Sequence, residues 1–435
     1  MTDAIAALVA GVYPNPRGGP PLGVATRAVA IADSLAGAEA ELVAGLGLGR
    51  RLAVVCDPTT RAVLGDRVIR ALGSIAEVTP VDLPEHPHAD LATTARLAQA
   101  TMGADALVAV GSGTINDLCK YVAGEGGRPY AVFATAPSMN GYTSLSAAIT
   151  VDGLKKSLPA VAAAGVFLDL AVLAAAPPRM IRSGLGDSLC RPTAQADWLL
   201  AHLLLDQPYD ETPFTLLAAD EAALFAASDA LLGGDIEAMR RLARTLVLSG
   251  FGMTLIGSSQ PASQGEHLIS HYADMRPPRG APETFHGEQI GVTTLTMTAL
   301  QTRLLDGPPP IPGPTRVSRD AVIAHFGPAL GAACWDAFAP KYLDGARARA
   351  LGERLERDWE MIRARLATVV RPPSDLRAVL KRAGAPTTAA ELGWSADYYR
   401  AAVAHARLIR DRYTFLDLAF DRADDARALA LDDLL

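Results

Sequence analysis

Residues 111–123 read GSGTINDLCKYVA and directly follow the apolar run ALVAV at 106–110. This pattern predicts a buried strand that enters a glycine turn and then a helix beginning near Thr114. Gly111 and Gly113 carry no Cβ, so backbone N–H groups can approach an anion at the positive end of the helix dipole. Asn116 stands where the third glycine of the full dinucleotide fingerprint would fall. The stretch therefore predicts a phosphate-binding loop, with an ordinary tight strand-to-helix turn as the alternative.

Strand and helix patterns alternate on both sides of this loop. Further strands are predicted at 51–57, 77–83, 130–137 and 165–170, a helix at 89–102, and a hairpin at 144–156. Such alternation implies right-handed crossovers and a largely parallel sheet, which binds ligands at the carboxyl ends of its strands. We therefore expect an α/β domain at 1–180 with a ligand site at that edge of its sheet.

After Pro177-Pro178 the pattern changes to helices alone. Helical periodicity covers 188–205, 214–232, 235–248, 287–304, 346–366 and 396–412. A chain of 435 residues is too long for one core of ordinary size, so two domains are expected. The second should be an all-α domain at 181–435, with a stiff proline-rich loop at 306–316 and a frayed acidic tail at 421–435.

Composition narrows the class of partner. The net charge of −7, without a run of Lys or Arg, argues against a nucleic-acid surface. The four cysteines lie far apart without a CxxC pair, which fits a reducing cytoplasm and disfavours a disulfide framework or zinc ribbon. The apolar stretch after Asp3 is short for a signal peptide, and the segment 161–176 is too short to cross a bilayer. We therefore expect a cytoplasmic protein that does not insert into membranes and that acts on a small molecule.

Histidines in the second half suggest a metal. His267 and His271 are four residues apart in GEHLISH, so they share one face of a helix, and His286 opens the next predicted helix. Asp187, in GLGD, is predicted at the start of another helix. Two imidazoles and one carboxylate with an open position would suit a divalent catalytic metal such as zinc or iron(II). Ordinary structural histidines are the alternative.

Seven motifs in order carry a family resemblance across about residues 50–418. They are GSGTINDLCKY, TAPSMNGYTSLSAAI, GLGD, PASQGEHLISH, HGEQIGV, AGAPTTAAELG and RDRYTFLDLA. Together they resemble the glycerol-1-phosphate dehydrogenases of the iron-type alcohol dehydrogenase superfamily, whose fold is similar to that of dehydroquinate synthase. The resemblance implies a dinucleotide-binding α/β domain followed by a helical metal-binding domain, and we expect a homo-oligomer.

The resemblance also implies roles for the metal and substrate residues. Asp187, His267 and His286 would hold one divalent metal, with zinc favoured and iron or nickel as alternatives. His271 would contact the substrate, and Asn140 occupies the position of a family aspartate that touches substrate near the metal. Asp187, His271 and Asn140 are therefore the candidate catalytic residues.

A second implied set binds the nicotinamide cofactor. Asp57 would meet the adenosine ribose. The pyrophosphate would lie against Gly111, Ser112, Gly113, Thr114 and Ile115. The nicotinamide side would be lined by Thr135, Ala136, Pro137, Ser138 and Ser144. A carboxylate accepts bonds from ribose hydroxyls and repels a 2′-phosphate, which favours NAD over NADP, although the family often uses both.

The implied reaction is hydride transfer from NAD(P)H to the C2 carbonyl of dihydroxyacetone phosphate, giving sn-glycerol 1-phosphate. The metal would act as the electrophile, and His271 would bond a substrate hydroxyl and relay a proton. A phosphate also needs cationic donors, for which Lys155, Lys156, Arg410 and Arg412 are candidates, with solvated surface charges as the alternative.

One departure from the family pattern keeps other activities open. The family motif reads Ser-Met-Asp-Gly-Tyr-Thr-Ser, whereas residues 138–144 read SMNGYTS. Asn140 keeps hydrogen bonding but loses a charge and cannot act as a base. A dehydrogenase of glycerol or another polyol is therefore one alternative, and a lyase of the dehydroquinate synthase type is another.

Overall fold

A computed structural model describes residues 3–423, except for the side chain of Leu154. It divides the chain into two compact units. The first contains the residues up to 188 together with 211–258, and the second contains 189–210 and the residues from 259 onward. Most of the predicted acidic tail, residues 424–435, lies outside the described residues.

The first unit is built on a parallel sheet. Its strands and hairpin are β1 (Ala28–Ala32), β2 (Arg51–Cys56), β3 (Glu77–Asp82), β4 (Ala106–Gly111), β5 (Tyr130–Ala134), β6 (Ser146–Val151), β7 (Leu154–Pro159) and β8 (Gly165–Asp169). Six of them form a sheet in the order β1-β8-β5-β4-β2-β3, in which every neighbouring pair is parallel. β6 and β7 form a separate antiparallel hairpin. The predicted strands, parallel sheet and hairpin are confirmed.

Burial explains the sheet order. Every residue of β4, β5 and β8 is buried, as expected for parallel strands covered on both faces. β3 contains Pro80, which cannot donate to a ladder, and it lies at an edge of the sheet. β1 lies at the opposite edge and has no fully buried residue, so its sequence lacks the strong apolar signal of the central strands.

The strand order reverses direction between β2 and β4. From β2 the chain proceeds to β3 on one side, whereas from β4 it proceeds to β5 on the other. Connections that leave in opposite directions open a crevice at the carboxyl ends of the two strands, where ligands bind in open α/β sheets. Asp57 follows β2 and Gly111 ends β4, so the topology brings both predicted cofactor residues to this crevice.

Nineteen α-helices are described between residues 3 and 423. The first eleven are α1 (Ala4–Val9), α2 (Glu39–Ala44), α3 (Pro58–Thr60), α4 (Asp66–Leu72), α5 (Leu91–Ala100), α6 (Gly113–Glu125), α7 (Leu170–Ala174), α8 (Pro178–Leu189), α9 (Arg191–Leu205), α10 (Thr212–Ala226) and α11 (Ile236–Ile256). The others are α12 (Gly265–Met275), α13 (His286–Asp306), α14 (Arg319–Phe326), α15 (Pro328–Phe338), α16 (Gly345–Ala367), α17 (Pro373–Arg382), α18 (Ala396–Ala406) and α19 (Phe415–Phe420).

The unit boundaries differ from the division predicted at residue 180. The chain enters the second unit at the end of α8, after residue 188, and α10 and α11 return to the first unit. Within that unit α11 contacts α7 and β1. The helical periodicity of 214–248 shows that these helices have an apolar face, but it does not show which core that face covers.

The second unit is a helical domain with its own core. In α16 the buried residues recur every three or four positions, the spacing of an amphipathic helix with one face toward a core. They are Ala348, Leu351, Leu355, Trp359, Ile362 and Leu366. Between residues 3 and 423, none of the helices combines the length and the apolar composition needed to cross a membrane.

Candidate active site

The predicted phosphate loop lies at the start of α6. Ser112 is the N-cap residue in an extended conformation, and no side-chain hydrogen bond caps this helix. The first N–H groups of α6 thus remain available to an anion. A Cβ on Gly111 would lie 2.6 Å from Cδ1 of Ile115, so only glycine fits at the end of β4. The five residues predicted to bind pyrophosphate are contiguous at this helix start.

Asn116 has a structural role in place of the third glycine. Its side chain is fully buried, and its Oδ1 accepts a 3.4 Å hydrogen bond from the Tyr130 hydroxyl on β5. Nδ2 donates to Asp117 Oδ1 at 3.2 Å. The amide therefore links helix to sheet, where a glycine would instead let the two approach closely.

Asp57 is held by a capping box immediately after β2. Its Oδ1 accepts the N–H of Thr60 at 2.7 Å, and the Asp57 N–H donates to Thr60 Oγ1 at 3.0 Å. The cap uses one carboxylate oxygen and fixes the orientation of the side chain. The group thus presents a preoriented negative charge at the crevice between β2 and β4.

The five residues predicted to line the nicotinamide side lie on the loop after β5. This loop begins beside the phosphate loop, since the N–H of Thr135 donates to the Gly111 carbonyl at 3.2 Å. Its conformation is fixed from within by the Tyr142 hydroxyl, which donates to the Ala136 carbonyl at 2.7 Å. The Ser183 hydroxyl on α8 donates to the Ser138 carbonyl at 3.1 Å.

Two helices of the first unit pack closely against the same loop. A Cβ on Gly184 of α8 would collide with the Pro137 carbonyl oxygen, and one on Gly250 of α11 would collide with the Thr143 hydroxyl. The Thr143 hydroxyl donates to the Val247 carbonyl of α11 at 2.7 Å. Glycine at both positions allows the helix backbones to contact the loop directly.

The main chain of Asn140 is hydrogen-bonded to the side chain of Asp187. The main-chain N–H of Asn140 donates to Asp187 Oδ2 at 2.8 Å, and both residues are buried. The Asn140 side chain is 8 % exposed, and its Nδ2 has no hydrogen-bond partner among the described residues. A buried amide donor is costly to leave unpaired, so this group is suited to bind a ligand oxygen.

The predicted position of Asp187 at a helix start is wrong. It lies in the last turn of α8, which already begins at Pro178. Proline is favoured in the first turn of a helix because its missing N–H has no helical partner there. Pro178 is therefore the first residue of α8, the helix that carries GLGD, and the pair Pro177-Pro178 does not mark a break before a later helix.

In the second unit, three histidines come together. His267 and His271 lie on α12, with ring centroids 5.8 Å apart, and His286 is the first residue of α13, as predicted. The ring of His286 lies 5.1 Å from that of His267 and 6.1 Å from that of His271. The rings of His267 and His286 are thus close enough for both imidazoles to bind the same metal ion.

Both histidines of that pair have hydrogen-bond partners on Nδ1. Glu266 Oε1 lies 2.8 Å from His267 Nδ1, and Ser270 Oγ lies 3.4 Å from His286 Nδ1. The Ser270 hydroxyl donates to Gln289 Oε1 at 2.6 Å, so its oxygen can accept from the imidazole. Bonds of this kind fix the ring orientation of metal-ligating histidines and leave Nε2 for the metal.

A second group of possible ligands lies in the same unit. Ligand atoms of Cys190, Glu266 and His267 are within 4.8 Å of one another, and all three residues are buried. Glu266 Oε1 is already engaged with His267 and with the N–H of Gln264, and Cys190 Sγ contacts the Ala262 carbonyl at 3.6 Å. These contacts make Glu266 a group that orients His267.

The four candidate phosphate anchors lie in different environments. The Arg412 guanidinium donates to Ser259 Oγ at 2.7 Å and to the Ser263 carbonyl, and burial lowers its pKa to about 10. Arg410 makes no hydrogen bond to a described residue, and burial lowers its pKa as well. Lys155 and Lys156 lie on β7. Of the four, Arg410 is the candidate with the most unused donor capacity.

The sequence did not indicate that Lys120 and Asp197 are polar groups of the interior. Lys120 of α6 is fully buried below the loop that carries Asn140, and Asp197 of α9 accepts the N–H of Gly265 at the start of α12. Burial raises the pKa of Asp197 to about 8. The available signal was a charged residue within an otherwise apolar helix pattern, but the partners come from distant segments.

Comparisons with known proteins agree with this architecture. Residues 30–177 match the family model described as iron-containing alcohol dehydrogenase. The glycerol-1-phosphate dehydrogenase, NAD(P)+, of Methanothermobacter thermautotrophicus is 30% identical over 367 residues, which cover 84% of this chain and 85% of the relative. The enzyme of the same name from Thermococcus kodakarensis is 31% identical over 274 residues, covering 63% and 77%.

Solved structures of low identity share the fold. A probable glycerol dehydrogenase from Sinorhizobium meliloti superposes with a TM-score of 0.58 at 18% identity, covering 94% of each chain. An iron-containing alcohol dehydrogenase from Corynebacterium glutamicum gives 0.57 at 15% identity, covering 93% of this chain and 97% of that one. The chain therefore belongs to the glycerol-1-phosphate dehydrogenase family of iron-containing alcohol dehydrogenases.

Proposed function

We propose that this protein is a metal-dependent oxidoreductase that transfers hydride from NAD(P)H to the C2 carbonyl of dihydroxyacetone phosphate, giving sn-glycerol 1-phosphate. The observation that carries the proposal is the histidine pair of the second unit, whose ring centroids lie 5.1 Å apart and whose Nδ1 atoms each have a hydrogen-bond partner. The relatives' names, glycerol-1-phosphate dehydrogenase, NAD(P)+, support glycerol 1-phosphate as the product.

The proposed metal ligands are Asp187, His267 and His286. A carboxylate and two imidazoles with an open position form a donor set that suits a catalytic divalent ion, and we propose zinc, with iron or nickel as alternatives. The family resemblance supports the assignment of Asp187 to the same metal as the two histidines.

The cofactor is proposed to bind at the carboxyl ends of β2, β4 and β5. Its pyrophosphate would accept N–H groups from residues 111–115 at the start of α6, its ribose would meet Asp57, and its nicotinamide would lie along the loop 135–144. The fixed carboxylate of Asp57 disfavours a 2′-phosphate. We therefore propose NAD as the preferred cofactor, with NADP also accepted.

The chemistry depends on charge that develops on the carbonyl oxygen during hydride transfer. A divalent metal, when bound, supplies Lewis-acid polarisation of that carbonyl. His271, one helical turn from His267, is proposed to bond a substrate hydroxyl and to deliver the proton that the product oxygen takes up. Asn140 is proposed to donate from Nδ2 to a substrate oxygen, a role that needs no charge.

The phosphate is proposed to bind Arg410. Arg412 is already engaged with Ser259 and Ser263, just before α12, whereas Arg410 keeps its donors. Since α12 carries His267 and His271, an anion held near Arg410 would lie at the same end of the second unit as the proposed metal.

The cytoplasmic location and the homo-oligomeric state also stay predictions.

A substrate comparison tests the proposal. The zinc-loaded protein is mixed with NADH and with dihydroxyacetone phosphate, dihydroxyacetone or glyceraldehyde, and NADH oxidation is followed by absorbance. We expect turnover with dihydroxyacetone phosphate and at least tenfold less with the unphosphorylated ketone. A rate seen only with dihydroxyacetone would favour the polyol alternative. Arg410→Gln should raise KM for the phosphorylated ketone alone.

A further inference from the structure

Lys120 lies beneath the loop that carries Asn140. Its side chain is 0 % exposed. Its ammonium donates to two oxygens of the Asn140–Ser144 turn, the Gly141 carbonyl at 2.5 Å and Ser144 Oγ at 3.1 Å, and to the Ser146 carbonyl at the start of β6 at 3.1 Å. An ammonium has three N–H donors, so this geometry satisfies each of them. The turn itself is closed by the Ser144 N–H, which donates to the Gly141 carbonyl at 3.2 Å.

Asp117, one helical turn before Lys120, holds the segment that follows. Its Oδ2 accepts the N–H of Ala148 on β6 at 3.0 Å, and its Oδ1 lies 4.0 Å from Lys120 Nζ. The two charges thus fasten α6 to both the turn and the strand after it. Burial lowers the pKa of Lys120 to about 8, so the ammonium form prevails at pH 7.

A buried ion pair rarely adds much net stability to a folded protein. Removing two charges from water costs several kcal/mol per ion, and an apolar pair of similar volume often does as well or better. We therefore interpret the network around Lys120 as selecting one conformation of the turn. That conformation also sets the position of Asn140, the residue before Gly141.

The turn positions the backbone N–H of Asn140, which is hydrogen-bonded to the proposed metal ligand Asp187. The carbonyl held by Lys120 belongs to Gly141, and the preceding residue, Asn140, donates its N–H to Asp187 Oδ2 at 2.8 Å. A shift of the turn would move this donor and also the unpaired Nδ2 amide of Asn140. Groups that orient a metal-ligating carboxylate affect metal affinity without touching the metal.

We propose that Lys120 is a positioning residue that fixes the Asn140–Ser144 turn, so that the Asn140 N–H orients Asp187 for metal binding. The inference rests on the proposed function, because it assumes that Asp187 is a ligand. It links the phosphate-loop helix to the metal ligand through the chain Lys120, Gly141, Asn140 and Asp187, all within the first unit.

Zinc affinity tests this role without relying on activity. The dissociation constant for zinc is measured by competition with a chromogenic chelator for the wild type, Lys120→Met, Asp187→Ala and the surface control Lys381→Met. We expect Lys120→Met to bind zinc about tenfold more weakly than wild type, in the lower part of the range for outer-shell partners. Lys381→Met should match the wild type, and circular dichroism checks that each variant is folded.

The outcomes separate the two claims. If Asp187→Ala binds zinc as tightly as wild type, the proposed metal site fails. If Asp187→Ala loses zinc while folded Lys120→Met keeps wild-type affinity, the role of Lys120 is refuted and the metal site stands. Should Lys120→Met not fold, Lys120→Arg replaces it, because its planar guanidinium cannot place three donors of one nitrogen on the three oxygens. Unchanged affinity in Lys120→Arg would then refute the proposal.

Discussion

Glu266 Oε1 lies 2.8 Å from Nδ1 of His267, and the carboxylate is completely buried. The same oxygen accepts the N–H of Gln264 at 2.8 Å, so its position is set by the backbone just before α12. A carboxylate on Nδ1 fixes the tautomer and the orientation of an imidazole that binds a metal. His267 is therefore oriented before any metal binds.

Replacing this carboxylate should weaken the metal site. In Glu266→Gln the amide keeps the size of the side chain but removes its charge, so we expect zinc to bind about tenfold or more weakly. The measurement is a chelator competition, with the exposed Glu85→Gln as the matched control. Wild-type zinc affinity in Glu266→Gln would show that this contact does not serve a metal ligand.

The charge of Asp57 should set the cofactor preference. Asp57→Ser retains a hydroxyl that can cap the following helix, but it loses the carboxylate that repels a 2′-phosphate. We expect the ratio of kcat/KM for NADPH to that for NADH to rise about tenfold, which corresponds to about 1.4 kcal/mol of lost discrimination. An unchanged ratio from steady-state kinetics with both cofactors would rule out Asp57 as the discriminating group.

Asn140 should contribute to binding as a hydrogen-bond donor. Asn140→Asp would replace Nδ2 by an acceptor and place a second negative charge next to Asp187, because the Asn140 N–H is 2.8 Å from that carboxylate. A lost bond to an anionic ligand costs about 1.5–3 kcal/mol, so KM for dihydroxyacetone phosphate should rise at least about tenfold. Asn140→Ala loses the donor without adding charge and separates the two effects. A lower KM in Asn140→Asp would contradict this role.

The second unit should lose stability in mild acid through His325. Its ring stacks on that of His405 at 3.8 Å, and burial together with His405 and Arg276 lowers the pKa of His325 to about 4. An unfolded histidine titrates near about 6.5, so as the pH falls from about 6.5 toward 4 the unfolded state takes up a proton before the folded state does. The contribution of neutral His325 to the free energy of unfolding is complete above about pH 6.5 and is lost as the pH falls toward about 4.

A matched variant isolates this contribution. His325→Phe keeps a ring for the stack but cannot be protonated, so the fall in Tm between pH 7 and pH 5 should be smaller than in the wild type by a few degrees. Each pH unit of such linkage is worth at most about 1.4 kcal/mol, reduced by solvent at this partly exposed site. Thermal unfolding followed by circular dichroism gives the comparison. Equal falls in both proteins would show that His325 titrates normally.

The sequence predicted most of the sheet because central parallel strands are continuous apolar runs. β4, β5 and β8 follow this rule, and the predicted Gly turn lies at the end of β4. β1 was missed because its residues are only partly buried and its partner lies far along the chain, with Ala28 beside Gly165. An edge strand whose partner is so distant leaves almost no local signal.

For the candidate site, the sequence indicated side chains but not the contacts that hold them in place. His267 and His271 could be placed on one helix face from their spacing, and His286 at the start of the next predicted helix. The three rings lie together in the structure. Asp187 directly precedes the predicted helix 188–205, which places it at a helix start, but it lies in the last turn of α8, which begins at Pro178. The contacts of Lys120 depend on a loop that folds back over α6, and no spacing rule describes such a return.

The dependence of turnover on a metal bound by His286 is tested by removing and restoring zinc in the wild type and two variants. Wild type and His286→Ala, with His88→Ala as a control from an exposed loop, are stripped with a chelator and assayed for NADH oxidation by dihydroxyacetone phosphate before and after one equivalent of zinc. We predict that wild type and His88→Ala lose activity and regain it with zinc. His286→Ala should stay slower by on the order of a thousandfold, because several kcal/mol of transition-state stabilisation are lost. A stripped wild type at full rate, or a His286→Ala variant that zinc restores to the wild-type rate, would refute the proposed metal site.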